Sequence, residues 1–311
     1  QTLDDIKRAG INFRLVDILT YSIHAVVIDV PEGQVQYAKD AASPKKVQED
    51  KVLQVDLDEQ SIPALAQRLQ MPAINATGAG ILVAVIDTGV DYAHPDLGGC
   101  FGPQCKVVGG YDFVNKDNDP IDDQGHGTHV AATAAGNGVL KGVAPDANIY
   151  AYKVLNAQGF GAFNDIIAAI ELAVDPNNDK DFYDHVNIIS MSLGADCGGE
   201  YSENCGPDDP LSTAVDNAVG KGVVAVIAAG NSGPREKSIG TPGTARKAIT
   251  VGATDKSSQI ARFSSRGPVD TLQEYIIKPD IVAPGVNICA ALSSQHDPYF
   301  DSQKCLDDRH M

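Results

Sequence analysis

A carboxylate at the end of a buried-strand pattern is the first group in this chain whose placement suits catalysis. Residues 83–86 are apolar, Asp87 follows them, and Gly89 permits a sharp turn two residues later. An aspartic protease pairs such an aspartate with a second carboxylate that shares its proton. A serine hydrolase instead uses it to orient a histidine. The chain has no second Asp-Thr-Gly or Asp-Ser-Gly motif, so the serine hydrolase arrangement is favoured.

A histidine flanked by two glycines could be the partner of this aspartate. His126 stands between Gly125 and Gly127, where a polar loop meets a helical pattern of small residues. The two glycines are expected to leave room around the imidazole for a substrate backbone. An imidazole oriented by a carboxylate can take a proton from a nucleophile and then deliver it to a leaving group. Asp87 and His126 together therefore indicate hydrolysis through an activated nucleophile.

The elements that must position these residues alternate between strands and helices from residue 81 onward. Mostly apolar runs predict strands at residues 81–86, 147–154, 186–191, 223–229 and 248–252. Helical patterns lie between them at residues 128–135, 163–174 and 211–219. This order predicts an α/β fold with a doubly wound, mostly parallel sheet and right-handed crossovers. Functional groups should then gather at the carboxyl ends of the strands, where Asp87 lies.

Charge and cysteine content restrict the partners and the compartment. The net charge of -17 repels phosphate, which argues against nucleic acid as a partner. No apolar run approaches the ~20 residues that a membrane-spanning helix needs. The six cysteines fall as local pairs, and pairing of near neighbours is predicted. The pairs are Cys100 with Cys105, Cys197 with Cys205, and Cys289 with Cys305. Disulfides indicate a secreted, extracellular protein, whereas six buried thiols are the alternative.

The order of motifs along residues 81–311 resembles the subtilase family, the subtilisin-like serine proteases. Asp-Thr-Gly at 87–89 is followed by Gly-His-Gly-Thr-His-Val-Ala at 125–131. Further matching motifs are His-Pro-Asp-Leu at 94–97, Gly-Val-Ala-Pro at 142–145, Ser-Leu-Gly at 192–194, Ala-Ala-Gly-Asn at 228–231, Phe-Ser-Ser-Arg-Gly-Pro at 263–268 and Lys-Pro-Asp-Ile-Val-Ala-Pro-Gly at 278–285. The resemblance implies a serine endopeptidase with a subtilisin-like fold and triad order Asp, His, Ser.

The resemblance also implies a role for each matching residue. Asp87 would orient His126, His126 would act as general base and acid, and Asn231 would donate a hydrogen bond to the oxyanion. The implied substrate-binding residues are Ser192, Leu193, Gly194, Ala229, Gly230 and Gly240. Residues 192–194 would pair with an extended substrate, and Gly240 would leave a deep pocket for a large apolar side chain. His94 and His129 are expected to be structural, and His310 belongs to no recognisable group.

Structural calcium is the one cofactor that the resemblance suggests. Asp96 and Asp255 stand at positions that resemble calcium ligands of the family. The connection at residues 136–140 is shorter than the family's calcium loop, which weakens the case for Asp96. The carboxylate-rich loop at residues 112–123 also offers the oxygen ligands that calcium prefers, although a solvated acidic loop is the alternative.

Residues 1–58 resemble the small propeptide domain of the same family, which predicts an α+β, ferredoxin-like unit. Strand patterns at 22–30 and 51–57 flank a helical pattern at 34–42. Such a domain would assist folding and act as an intramolecular inhibitor, with strand 51–57 in the active-site cleft. An independent ferredoxin-like module is the alternative. Residues 59–80 are predicted to form a connector with a helix at 62–70, and the scissile junction is expected between residues 57 and 61.

The family's nucleophile is absent from the 311 residues. It lies in a Gly-Thr-Ser-Met-Ala motif, whereas Gly-Thr-Ala at 243–245 lacks the serine and precedes the motif at 278–285. We expect the serine on a separate or missing C-terminal segment that begins at residue 312, so that this chain alone is inactive, as in a zymogen. An inactive subtilase-like protein that binds peptides or a protease is the alternative. A nucleotide-binding protein is disfavoured because no phosphate loop is present.

Overall fold

A computed structural model describes residues 2–20, 23–42, 47–48, 50, 52–55 and 76–311, with the backbone alone for 52–55. The helices are α1 (Thr2–Arg8), α2 (Val35–Ala42), α3 (His126–Ala135), α4 (Phe163–Val174) and α5 (Pro210–Gly220). The strands are β1 (Arg14–Leu19), β2 (Ala25–Asp29), β3 (Val52–Val55), β4 (Leu82–Asp87), β5 (Val107–Asp112), β6 (Asn148–Lys153), β7 (Phe160–Ala162), β8 (Ile188–Met191), β9 (Leu193–Gly194), β10 (Val224–Ala228), β11 (Ile249–Thr254), β12 (Val269–Asp270), β13 (Tyr275–Ile276) and β14 (Ile281–Pro284).

A seven-stranded sheet organises the larger part of the chain. Its strand order is β14-β11-β10-β8-β4-β6-β5, and every neighbouring pair is parallel. The five predicted strands are the central members β4, β6, β8, β10 and β11. The two edge strands were not predicted because β5 runs into Gly109 and Gly110, and β14 is a short strand that ends in proline.

Helices cover both faces of this sheet, as the doubly wound prediction required. α4 has the same bounds as predicted, and its apolar residues Phe163, Ile166, Ile167 and Ile170 recur at helical spacing toward one face. This stripe packs in the larger core together with α5. Small residues of α3, such as Ala131 and Ala135, pack on the opposite face with β4 and β6. The predicted α/β fold is therefore confirmed.

The N-terminal unit contains the predicted elements and two more: β2, α2 and β3 correspond to the predicted strand at 22–30, helix at 34–42 and strand at 51–57. The described residues form two helices, α1 and α2, which pack through Ile6, Ile11 and Ala38, and an antiparallel pair, β1–β2. α1 has few apolar residues, and the apolar residues of β1 are mostly exposed and show no alternation; neither element was predicted. The ferredoxin-like arrangement is not seen among the described residues, since β3 pairs elsewhere. The predicted helix at 62–70 and the junction at 57–61 lie outside the described residues.

A small antiparallel sheet joins the two parts of the chain. β3 lies in its centre between β7 and β9. Leu53 is opposite Gly161 on one side, and Gln54 is opposite Gly194 on the other. The N-terminal unit also contacts α4, because the Thr20 N–H donates to Glu171 Oε2 at 3.1 Å. The prediction that a strand at residues 51–57 reaches residues 192–194 therefore agrees with the observed pairing.

The cysteines form the three predicted near-neighbour disulfides, Cys100–Cys105, Cys197–Cys205 and Cys289–Cys305. The last of them closes a loop that packs beside the start of α3, where Phe300 lies against Gly125.

Candidate active site

A buried carboxylate and a buried imidazole meet where β4 ends and α3 begins. Asp87 is the last residue of β4 and 0% exposed, and His126 is the first residue of α3 and 1% exposed. The distance from His126 Nδ1 to Asp87 Oδ1 is 2.6 Å, and the Thr88 N–H donates to the same oxygen at 2.7 Å. This contact fixes the ring so that its other nitrogen, Nε2, points away from Asp87.

A second buried aspartate connects the loops that carry this pair. One oxygen of Asp122 accepts hydrogen bonds from Thr88 Oγ1 at 2.9 Å and from the Gly125 N–H at 2.9 Å. Its other oxygen accepts from the N–H and the hydroxyl of Thr128, in the first turn of α3. Desolvation raises the pKa of Asp122, and these hydrogen bonds oppose the shift. Asp122 therefore joins the residue after Asp87 to the helix that begins at His126.

The glycines that flank His126 have a packing role that the sequence analysis did not predict. A Cβ on Gly127 would lie 2.1 Å from the Gly89 carbonyl oxygen, which excludes any side chain. Gly125 has φ of 120°, and its Cβ would lie 3.1 Å from the ring of Phe300. Both positions therefore allow close approach between the histidine loop and its neighbours.

Asn231 lies at the same sheet edge as Asp87. β10 ends at Ala228, Gly230 turns the chain with φ of 100°, and Asn231 follows. Because β4, β8 and β10 are parallel neighbours, their carboxyl ends share one edge. Asn231 is half-buried, and no described residue accepts a hydrogen bond from its side-chain amide. The position of Asn231 after β10 therefore puts it at the sheet edge where Asp87 lies.

The predicted substrate-binding residues come together beyond β8 and β10. Ser192 precedes β9, which contains Leu193 and Gly194, and β9 pairs with β3. Two hydrogen bonds join the backbones of Ala195 and Thr241, at 2.9 and 3.0 Å. The Gly240 N–H donates to the Ala229 carbonyl at 3.1 Å, and a Cβ on Gly240 would lie 2.8 Å from the Ala195 carbonyl oxygen. Gly194, Ala229, Gly230 and Gly240 therefore belong to adjoining segments, and Gly240 has a packing role as well.

Comparison with known proteins agrees with this arrangement. The family model described as "Subtilase family" matches residues 78–307. The chain belongs to the subtilase family. It is 44% identical over 229 residues to Serine protease AprX of Bacillus subtilis (strain 168), a match covering 70% of this chain and 49% of that protein. It is 36% identical over 280 residues to Subtilisin E of the same strain, with 87% of this chain and 64% of that protein covered.

A solved structure, the crystal structure of a cold adapted subtilisin-like serine proteinase, shares the subtilase fold with this chain. The TM-score is 0.57 at 30% identity, and the match covers 76% of this chain and 77% of that chain. The chain spans between about half and two thirds of the length of AprX and Subtilisin E. Subtilase membership therefore establishes the serine protease family and the fold.

The carboxylates expected to bind calcium are engaged in hydrogen bonds in this structure. The two oxygens of Asp96 accept hydrogen bonds from the N–H groups of Val139 at 2.8 Å and Leu140 at 3.1 Å, and His310 Nε2 lies 3.0 Å from one of them. Asp255 accepts from the Ser257 N–H within a turn. The described residues contain no group of three or more His, Cys, Asp or Glu side chains placed to hold a metal ion. The acidic residues at 112–123 are likewise used for local hydrogen bonds.

The two histidines that follow Asp87 and His126 in these motifs have structural partners, as expected. His94 Nε2 lies 3.0 Å from the Arg309 carbonyl, and His129 Nε2 lies 2.9 Å from the Ile288 carbonyl.

Two buried residues near the site were not identified from the sequence patterns. His310 lies between Asp96 and Asp307, and Lys153 lies at the end of β6 beside Asp87. A lysine within an otherwise apolar strand pattern was the available signal for the second.

His129 predicts a dependence of stability on pH. Desolvation lowers its pKa to about 4, below the ~6.5 of an unfolded histidine. The unfolded state therefore binds more protons between these values, so the contribution of His129 to stability is complete above pH ~6.5 and is lost as the pH falls toward 4. We expect His129→Gln to lose less thermal stability than the wild type between pH 7 and pH 5, as measured by calorimetry. An unchanged slope would contradict the assignment.

Proposed function

We propose that this protein is a secreted serine endopeptidase that hydrolyses peptide bonds through an Asp-His-Ser triad. The observation that carries the proposal is the buried 2.6 Å contact between His126 Nδ1 and Asp87 Oδ1 at the sheet edge that Asn231 shares. Asp87 holds one ring tautomer and stabilises the imidazolium, and His126 exchanges protons with the nucleophile and the leaving group. Membership of the subtilase family supports this chemistry.

The reaction follows from these positions. His126 Nε2 accepts the serine proton as the serine oxygen bonds to the substrate carbonyl carbon. The carbonyl oxygen becomes negative, and the Asn231 amide donates a hydrogen bond to it. His126 then protonates the leaving amine as the peptide bond breaks, and a water molecule hydrolyses the acyl-enzyme by the same route.

We place the nucleophilic serine outside residues 1–311. No Gly-Thr-Ser-Met-Ala motif occurs among them. Exposed apolar residues on one face of strands β10, β11 and β14 also favour a further segment of chain that covers this face. Val224, Ile249 and Ile281 are 42%, 37% and 53% exposed, and the strand pairings put them on that face. Apolar surface of this kind is rarely left bare in a soluble protein.

We assign residues 1–58 as an inhibitory propeptide and residues 81–311 as the catalytic domain, with 59–80 as the connector. β3 occupies the centre of a three-stranded antiparallel sheet whose outer strands flank the candidate cleft. An extended substrate would take the same place, because backbone hydrogen bonds to a strand edge do not depend on side-chain identity. The contact between Thr20 and Glu171 anchors the same unit on α4.

Secretion is supported by three disulfides, which persist in oxidising surroundings. Another relative, 48% identical over 187 residues, covering 57% of this chain and 21% of that protein, is the Minor extracellular protease Vpr of Bacillus subtilis (strain 168). Among the described residues, no helix has the length and apolar character needed to cross a membrane. Peptides and proteins are the proposed substrates. A purely binding protein would have no chemical use for His126 and Asn231, so we favour the enzyme.

One experiment tests both the activity and the propeptide. The full-length protein, with its serine-bearing segment and freed of residues 1–58, is expected to hydrolyse denatured casein. Added residues 1–58 should suppress hydrolysis at micromolar concentration. The matched variant Leu53→Pro should inhibit less, because proline removes an N–H from a central strand. Absence of hydrolysis would contradict the enzyme, and hydrolysis unaffected by 1–58 would favour an independent module.

A further inference from the structure

Lys153 is a buried cation at the end of β6. The parallel register places it directly opposite Asp87 on β4. Its side chain is 1% exposed, although lysine is seldom buried unless it is paired. Its ammonium donates to the Thr88 carbonyl at 2.8 Å, to the Leu155 carbonyl at 3.0 Å and to Asp123 Oδ1 at 2.5 Å. All three N–H donors of the ammonium are therefore used.

The three acceptors belong to the segments that build the candidate site. Thr88 follows Asp87 directly. Asp123 lies three residues before His126, next to the aspartate that accepts from the first turn of α3. Leu155 lies in the loop that leads from β6 to β7, and β7 pairs with β3. One ammonium thus joins the aspartate loop, the histidine loop and one edge of the cleft.

A second buried lysine, distant from the candidate site, serves as a comparison. Lys278 also has a side chain that is 1% exposed, and it donates to the Ala248 carbonyl at 2.7 Å and to Asp280 Oδ2 at 2.7 Å. The carboxylate partners are alike, since the side chains of Asp123 and Asp280 are 37% and 39% exposed. The difference is location, because neither partner of Lys278 adjoins Asp87 or His126 in the chain.

We propose that Lys153 is a positioning residue that holds the Asp87 and His126 loops in the geometry of their hydrogen bond. The consequence for catalysis rests on the proposed function, but the geometric claim does not. Lys153 acts through the Thr88 carbonyl and the Asp123 carboxylate. Its loss would leave both acceptors without their buried donor, so the loops could separate by fractions of an ångström. Displacements of about 1 Å cost on the order of 100-fold in rate.

The test compares Lys153→Met with Lys278→Met in this 311-residue chain. A short imidazole–carboxylate hydrogen bond gives a downfield Nδ1 proton resonance, which is assigned to His126 by its loss in His126→Gln. In Lys153→Met this resonance should shift and exchange faster with water, while Lys278→Met should retain the wild-type signal. Calorimetry should show that both variants lose thermal stability. An unchanged signal in Lys153→Met, or an equal change in both variants, would overturn the proposal.

If Lys153→Met does not fold, a milder variant tests the positioning role of Lys153. Asp123→Asn keeps an oxygen acceptor and removes only the charge, so it should shift the His126 resonance less, and Asp280→Asn should not shift it. No shift in Asp123→Asn would count against the proposal. In the full-length enzyme, Lys153→Met should lower kcat about 10- to 100-fold relative to Lys278→Met. A changed resonance in a protein without peptidase activity would overturn the proposed function and leave the positioning role standing.

Discussion

Replacing His126 by alanine in the full-length protein is expected to lower kcat for peptide hydrolysis by at least ~10³- to 10⁴-fold. Without the imidazole, no group takes the serine proton and none protonates the leaving amine, and the members of a triad act as a unit. Asp87 would also be left as a buried carboxylate without its ring partner. Steady-state kinetics on a chromogenic peptide measures the effect.

His129→Ala is the matched control for this variant. His129 lies one turn further along α3, and its Nε2 contacts the Ile288 carbonyl instead of Asp87. Its loss should reduce stability while the folded fraction retains most of its kcat. Near-full activity of His126→Ala would remove the triad assignment, and equal losses in both variants would point to a general defect of α3.

Replacing Asn231 by alanine is expected to lower kcat about 10²- to 10³-fold with little change in KM. The amide would bond an oxygen that becomes negative only as the tetrahedral intermediate forms, so its contribution belongs to the transition state. The position at the shared sheet edge and the lack of a described acceptor for this amide support that role. Rates at saturating and at low substrate concentration separate kcat from KM.

Asn148→Ala provides the control for the loss of an amide. Asn148 is exposed at the amino end of β6, which is the opposite edge of the sheet. It should leave both kcat and KM unchanged. A rise in KM without a fall in kcat in Asn231→Ala would place this amide in ground-state substrate binding.

The parts of the fold that the sequence predicted depend on local patterns. The central strands have continuous apolar runs, and α4 has apolar residues at helical spacing. Both patterns can be recognised from the local sequence alone. The meeting of Asp87 with His126 followed from the strand-end rule together with the resemblance. The near-neighbour disulfides were also predictable, because short loops bring their cysteines together.

The parts that were missed depend on tertiary placement. The apolar strand pattern around Lys153 was a local signal of burial, but its acceptors come from three separate segments that no local pattern brings together. His310 contacts Asp96, which lies more than two hundred residues earlier in the chain, and no local pattern could indicate this pairing. The packing role of Gly125 and Gly127 was also missed, because the contacting atoms belong to Phe300 and Gly89, which are distant from them in the sequence.

The central claim is that Asp87 and His126 activate a serine that lies outside these 311 residues, while Asn231 stabilises the oxyanion. Its most direct test is covalent labelling of the full-length protein, freed of residues 1–58, with a fluorophosphonate, followed by mass-spectrometric mapping of the modified peptide. The account predicts one labelled serine, in a Gly-Thr-Ser-Met-type motif beyond residue 311, and labelling that His126→Ala suppresses. A labelled serine within residues 1–311, or no labelling of the folded protein, would contradict it.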